Sequence, residues 1–465
     1  MKILCSGAAQ KTKPIFALPP VKTVEGRREI GIIKRKTNIV RNERSNMHLN
    51  RRNFVELTAG AGLLSILPGC KSMPGKKQAP SLKVSLQELE TAAEAPVLNL
   101  DGLDSPLVIE SIELLRNDRE YIVRVRSKDG VEGVAITNDR AQYLYPILNR
   151  LVIPYFIGKD ARDLEEHLFE VYRYNSNYKL QGLALWCPVA WVEFALLDMI
   201  GRVSGKSMGQ LLGGVVRQEV PFYIASGRRD STPEEEAEYL VGLVAETGAK
   251  AVKFRLGGRM SRNADAMPGR SEKLIPLSRK RLGDKIDIHA DANSSYDPPK
   301  AIEIGRMLED IGAVYFEEPC PFDHFEDTKK VADALTIPVA GGEQEYSQRR
   351  FRWAIYNHGV DIVQPDLQYY GGLIRSTRIA RMAALAGMPT TVHISGGFGF
   401  VYMLHFASFT PDIGAYQEYK KGTERYSDWF DPPLEIRDGS ITVPKGPGVG
   451  IKDIGELLKE AKPVT

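Results

Sequence analysis

Three carboxylates recur at a fixed interval in this chain: Asp291 in "IHADANSSYD", Glu317 in "VYFEEP" and Glu343 in "VAGGEQEY", each 26 residues from the next. Each closes a short apolar run with the composition of a buried strand. A charge in such a place is costly unless something holds it. One acid at a strand end is more often a helix cap than a ligand; three in equal register point to a shared ion. Hard oxygen donors suit Mg²⁺, which leaves its remaining positions to water or substrate. Glu318, on the other side of the strand from Glu317, would brace the site or a helix end.

Two further strand ends carry Asp366 in "IVQPD" and His393 in "TTVH". Adjacent strands would set that carboxylate against the imidazole, fixing its tautomer and raising its basicity. Without Asp366, His393 would read as a packed histidine. The run "AVKFRLG" puts Lys253 and Arg255 two residues apart, on one face of a strand. Two cations beside a divalent ion would lower a lysine's pKa toward use as a base. His289 shares the face of Asp291 and can line the same cleft, with no role assigned.

These residues need a scaffold that brings strand ends together. From Glu219 onward, strand and helix patterns alternate. Candidate strands are Val220–Ala225, Ala251–Arg255, Ile286–Asp291, Val314–Glu317, Val339–Glu343, Ile362–Asp366, Thr390–His393 and Ala415–Glu418. Helical spacing falls at Pro233–Thr247, Pro298–Ile311, His324–Leu335, Tyr346–Asn357, Leu373–Ala386 and Phe400–Phe409. Continuous apolar strands separated by helices imply a parallel sheet covered by helices. Eight of them predict an α/β fold of the (β/α)8 type, a modified TIM barrel, whose active sites lie where strand C-termini meet. Ahead of it, "LVIESIELLR", "EYIVRVRSKDGVEGVAIT" with its Asp129-Gly130 turn, and a helix over Pro188–Ile200 predict an α+β cap. The Pro/Gly-rich end, with the strand-like "SITVP", is expected to return to that cap.

In this order and spacing, "DANSSYD", "FEEP", "GGE", "QPD…GG" and the downstream His resemble the enolase superfamily, in its mandelate racemase-like branch. The stretch "ALLDMIGRVSGKSMGQLLGG" is similar to the segment joining that family's cap to its barrel. The resemblance implies Mg²⁺ held by Asp291, Glu317 and Glu343. It also implies removal of the proton α to a substrate carboxylate, giving an enediolate. Lys253 would stand on one face and the His393–Asp366 pair on the other. Glu418 in "AYQEYK" matches an acid that hydrogen-bonds the substrate carboxylate, and Asn293 the polar neighbour in an Asp-x-Asn pattern. Where the branch carries Lys-x-Lys, this chain has Arg255, which clamps a carboxylate well but accepts protons poorly. That favours chemistry run by His393 and Asp366, with Lys253 in an electrostatic role.

The 465 residues are 43% hydrophobic and 26% charged, as in a soluble globular protein. The net charge of +3 conceals an asymmetry. Residues 1–52 hold 13 Lys/Arg and 3 Asp/Glu; the remainder holds 49 and 56. A mildly acidic body excludes nucleic acid as the expected partner. The four cysteines show no CxxC spacing. In "NRRNFVELTAGAGLLSILPGC", Arg51 and Arg52 precede an apolar run too short for a permanent anchor. It resembles a twin-arginine export signal ending in a lipobox-like "LPGC", in which Cys70 would be lipidated.

The expected organisation is therefore an extension over 1–46 ahead of a start at Met47, a signal over 47–70 and a tether over 71–100. The cap follows over 101–215, the barrel over 216–422 and the returning segment over 423–465. The function expected is Mg²⁺-dependent dehydration of a sugar acid of aldonate type to a 2-keto-3-deoxy acid. Epimerisation or racemisation, cycloisomerisation, and an exported sugar-acid binder without turnover are the alternatives. The expected partner is a small carboxylate, the expected location the periplasm with a membrane tether through Cys70, and the expected assembly a homo-oligomer.

Overall fold

A computed structural model describes residues 84–464 apart from position 118. The expected extension over 1–46, the stretch expected to be an export signal with Cys70, and residues 71–83 lie outside these residues. Within the span read as a tether, however, Leu86–Glu94 is a helix. Ser85 and Glu88 close a capping box, and Leu89 and Ala93 pack among Phe351, Ile355 and Ile379 of two barrel helices. With only two inward apolar residues one turn apart, "LQELETAAE" was too sparse a stripe to read as a packed helix.

The cap is an antiparallel sheet of β1 (Ile109–Arg116), β2 (Tyr121–Ser127) and β3 (Glu132–Ile136). The β2–β3 turn places Gly130 at φ +82°, a left-handed geometry that glycine adopts without strain. Behind the sheet runs the helix Gly182–Ser204, buried from Leu185 to Gly201. Two of its acids act as staples. Asp198 accepts from Val134 N and Val449 N, both at 2.8 Å, tying cap strand to C-terminal segment. Glu193 accepts from Leu373 N and Ile374 N, at 2.7 and 2.8 Å, capping the barrel helix Leu373–Leu385.

The barrel runs β4 (Glu219–Ala225), β5 (Ala251–Arg255), β6 (Asp287–Asp291), β7 (Tyr315–Glu317), β8 (Val339–Gly341) and β9 (Ile362–Val363), all parallel neighbours in that order. It closes where β10 (Gln417–Tyr419) pairs in parallel with β4. The seventh position is the modified one. Thr390–His393 makes only isolated bridges, Thr390 with Val363 and with Ile413, and His393 with Asp366. Helix starts follow local chemistry, as at Thr232-Pro233, where Thr232 closes a capping box with Glu235 and Pro233 takes the first helical position. Val252, Phe254, Ile288, Ala290 and Phe316 face the helices, so the alternate residues of those strands face inward.

One barrel helix, Arg270–Leu282, has no counterpart in the sequence reading. Its run "RSEKLIPLSRKRL" carries Pro276 and eight polar or charged side chains, which hide the apolar face of Leu274, Ile275 and Leu277. The C-terminal segment does not return to the cap alone. Its hairpin of β11 (Ile436–Arg437) and β12 (Ser440–Thr442) adds antiparallel to β4, and only β13 (Lys462–Pro463) joins β1.

Candidate active site

Register sets the chemistry. Arg255 is opposite Asp291, and Asp291 opposite Glu317, across β5, β6 and β7. Glu343 follows the end of β8, and ligand oxygens of the three acids lie within 4.8 Å of one another, all buried. Lys253 Nζ donates to Glu317 Oε2 at 2.7 Å and stands 3.3 Å from Glu418 Oε1 and 3.9 Å from Asp291 Oδ2. The Arg255 guanidinium lies against Asp291 Oδ2.

Asp291, Glu317, Glu343 and Glu418 set four buried carboxylates against two cations, Lys253 and Arg255. Glu317 Oε1 has no hydrogen-bond partner among the described residues, though it is fully enclosed. An all-oxygen carboxylate donor set fits Mg²⁺. Asn293 braces it: its backbone N–H and its amide donate to the two Asp291 oxygens at 2.7 and 3.1 Å.

Burial alone would lower Lys253, but the charges of Glu317 and Glu418 outweigh it and keep the ammonium above its ordinary range. Burial pushes Glu418 the other way from its neighbours; Lys253, Lys420, His393 and Arg255 prevail and hold it well below the usual carboxylate range. Ile394 N donates to Glu418 Oε2 at 2.8 Å, which locks that carboxylate in place.

Opposite Lys253 stands the imidazole. His393 Nδ1 lies 2.7 Å from Asp366 Oδ2. The other oxygen, Oδ1, accepts from Gln368 N, Tyr369 N and Ser395 Oγ, at 2.8, 2.9 and 3.1 Å. An acceptor this well supplied puts the hydrogen on Nδ1 and leaves Nε2 toward the cavity, 3.3 Å from Glu343 Oε2. Burial would depress His393; the charge of Glu343 opposes it and the net displacement is upward.

All the expected site residues in the described part converge here: Asp291, Glu317, Glu343, Lys253, Arg255, Asn293, Asp366, His393 and Glu418. His289 does not. It points inward like Asp291 but two residues lower, stacked on Tyr315 with ring centroids 4.1 Å apart and edge-on to Tyr223. The rise of two strand residues, roughly 6.6 Å, takes it from cavity to barrel core. Glu318 turns back at φ +40° beside Asn293 rather than reaching a helix end. A polar, Gly-containing insertion over residues 257–269, between β5 and the next helix, is tied down: Met260 N and Asn263 N donate to the carbonyls of Asn293 and Ser295, at 3.0 and 2.8 Å.

A cavity of about 490 Å³ opens above these groups, walled by both the barrel and the cap. Ser395 and Lys420, which touch Asp366 and Glu418, were missed by the sequence reading. Each lies two residues after a predicted site residue, so the same-face rule that paired Lys253 with Arg255 would have found them. Arg140, Tyr369 and Arg229 sit on loops, where no periodicity announces them.

A capped barrel with three clustered acids, a lysine on one side and a His–Asp pair on the other defines enzymes that remove a proton next to a carboxylate with the help of a divalent ion. Residues 235–453 match the family described as enolase C-terminal domain-like, and residues 103–213 match the mandelate racemase / muconate lactonizing enzyme N-terminal domain. An arabinonate dehydratase of Saccharolobus solfataricus is 30% identical over 312 residues, 65% of this chain and 80% of that one. An L-talarate/galactarate dehydratase of Salmonella typhimurium is 27% identical over 377 residues, 79% of this chain and 87% of that one.

Among solved structures, a protein of Roseobacter denitrificans provisionally named a racemase superposes with a TM-score of 0.71 at 36% identity, covering 77% of this chain and 98% of that one. A mandelate racemase/muconate lactonizing protein of Paracoccus denitrificans, complexed with magnesium, gives 0.70 at 28%, covering 77% and 99%. The chain belongs to the mandelate racemase/muconate lactonizing enzyme family of the enolase superfamily.

Proposed function

We propose that this protein is a Mg²⁺-dependent carbon–oxygen lyase that dehydrates a sugar acid to a 2-keto-3-deoxy acid. The observation that carries the reading is the His393–Asp366 contact of 2.7 Å, which aims one imidazole nitrogen at a cavity lined by Glu343, one of the three clustered acids. The dehydratase names of the two curated relatives support it. Bound Mg²⁺ would supply electrophilic stabilisation of the charge that proton loss sends into the substrate carboxylate.

His393 Nε2 takes the proton from C2, and the electron pair moves into the carboxylate as an enediolate. Arg255, on the cavity wall, holds that end of the substrate, and Lys253, enclosed beside Glu317, opposes its growing charge electrostatically. The pair then returns to form the C2–C3 double bond as the C3–O bond breaks. His393 gives its proton to the departing hydroxyl, which leaves as water, and the enol ketonises. Arg255 is a poor acceptor, so one imidazole serves as base and then as acid.

The test is formation of a 2-keto acid from a panel of sugar acids with Mg²⁺. A 2-keto-3-deoxy product supports the reading. Inversion at C2 without keto acid would move the assignment to the epimerase alternative, which the relative provisionally named a racemase keeps in view. Tight binding without any change in the acid would leave a sugar-acid binder.

The address is part of the same proposal. Arg51, Arg52 and the apolar run ending at Cys70 support twin-arginine export of a folded, metal-loaded enzyme to the periplasm, with a lipid tether on Cys70. Homo-oligomerisation belongs with it. Cell fractionation tests the address: a processed periplasmic chain supports it, and an unprocessed cytoplasmic one refutes it.

A further inference from the structure

The cavity carries more positive charge than removal of an α-proton requires. Its wall holds seven Lys and Arg side chains against three acids, although the chain beyond residue 52 is acidic overall. Four of the cations are matched by carboxylates. Arg255 lies against Asp291, Lys420 is 3.5 Å from Glu418, Lys421 is 2.7 Å from Glu246 and Arg425 is 3.3 Å from Glu120. Arg119, Arg140 and Arg259 pair with no carboxylate among the described residues.

Arg140 is the built one. It is half-buried, comes from the cap, and is held by neutral groups: Nη1 donates to Tyr143 Oη and Nη2 to Tyr369 Oη, each at 2.5 Å. Its guanidinium also lies over the Tyr369 ring, 4.7 Å from the centroid. Nε is enclosed and makes no hydrogen bond among the described residues. Accepting from Arg140 leaves the Tyr369 hydroxyl hydrogen free to donate to an anion. Tyr369 is also the ring beside His393, 6.1 Å between centroids, so the guanidinium is one ring away from the acid–base group.

Across the cavity, Arg259 projects from the insertion pinned to Asn293. Beside it, burial and the charges of Arg255, Arg259 and Arg270 push Arg229 down to about 10, so these arginines already repel one another. A guanidinium fixed by phenols rather than by an acid is poised for a planar or tetrahedral anion.

We propose that the substrate is a dianion: a sugar acid whose far end carries a second anionic group, carboxylate or phosphate, seated on Arg140 and Tyr369 with Arg259 opposite. This rests on the sugar-acid reading of the site and narrows it from aldonates to aldarates or ω-phosphorylated aldonates. Arg140 is then the specificity-determining residue.

The experiment compares a hexarate, the matching hexonate and its 6-phosphate on the full chain with Mg²⁺. Turnover is measured by kcat/KM and binding by titration calorimetry. One of the two dianions should exceed the hexonate about 100-fold in kcat/KM, and which one does identifies the terminal group. In Arg140→Gln that ratio should fall about tenfold or more, with Arg140→Lys recovering part of it. Arg259→Ser, on an exposed loop, repeats the test should the Arg140 variants fold poorly. If no acid is turned over but a dianion binds at least tenfold tighter than the hexonate, the subsite stands and the dehydratase reading falls. A hexonate bound or converted as well as both dianions overturns the inference. Binding of none of the three contradicts the sugar-acid reading and takes this inference with it.

Discussion

Asp366 Oδ2 and His393 Nδ1 meet at 2.7 Å across two neighbouring strand ends, one of which is held by little more than isolated bridges. The imidazole is therefore oriented chiefly by that carboxylate, and the carboxylate by three donors on its other oxygen.

Replacing Asp366 with Asn tests this arrangement. The amide can present a donor to Nδ1, which moves the ring hydrogen to Nε2 and removes the base from the cavity. The expected loss in kcat is about 10³-fold or more, as when a buried carboxylate that sets a catalytic histidine's tautomer is neutralised. Mg²⁺ affinity, measured alongside, should stay within about twofold. A small loss in kcat would assign the proton transfer elsewhere.

Glu317 is the partner of Lys253 and would be the central ligand of a bound Mg²⁺. Glu317→Gln should weaken Mg²⁺ binding by about 100-fold by calorimetry. Unchanged affinity would remove Glu317 from the ion's shell.

Much of this was readable from residue order. Strand Ala251–Arg255 and helix Pro233–Thr247 have the bounds that their patterns predict, because apolar alternation and a capping box are local signals. The acids were legible because barrel geometry turns a 26-residue repeat into one face. What was lost is non-local or sparse. Arg140 and Tyr369 meet only because the cap folds over the barrel. The helix Arg270–Leu282 hides its apolar face among charges, and His289 shows that sharing a strand face with Asp291 does not mean sharing its depth.

The cap-to-barrel staple gives a stability prediction. Gly372 sits at φ +110°, and a Cβ there would be 1.8 Å from Glu193 Oε2. Burial raises Glu193 to about 8 despite the two N–H groups it caps. Gly372→Ala should therefore cost about 3 kcal/mol or more, since it strains the backbone and displaces a buried acid. Glu193→Ala should cost about 2 kcal/mol by uncapping the helix. Denaturant midpoints check both. A Gly372→Ala protein as stable as the parent would contradict this geometry.

His405 supplies a pH dependence remote from the catalytic groups. Its Nε2 donates to Val449 O at 3.0 Å, and burial lowers its pKa to about 4. The unfolded chain protonates near 6.5 and the folded one only near 4, so the unfolded state binds more protons in between. Stability is thus lost as pH falls through that window, by at most about 3 kcal/mol. Unfolding curves of the parent and His405→Gln should converge as pH drops from 7 to 4. A constant gap between them would contradict the assignment.

The central claim is that His393 removes the proton α to a sugar-acid carboxylate. The most direct measurement is proton NMR of the purified protein in D₂O with Mg²⁺ and a panel of sugar acids, beside His393→Asn. The account predicts loss of the α-proton signal and a new methylene signal for at least one acid. Both should be abolished in the variant while Mg²⁺ binding persists. Exchange that continues at the parent's rate in His393→Asn would contradict it.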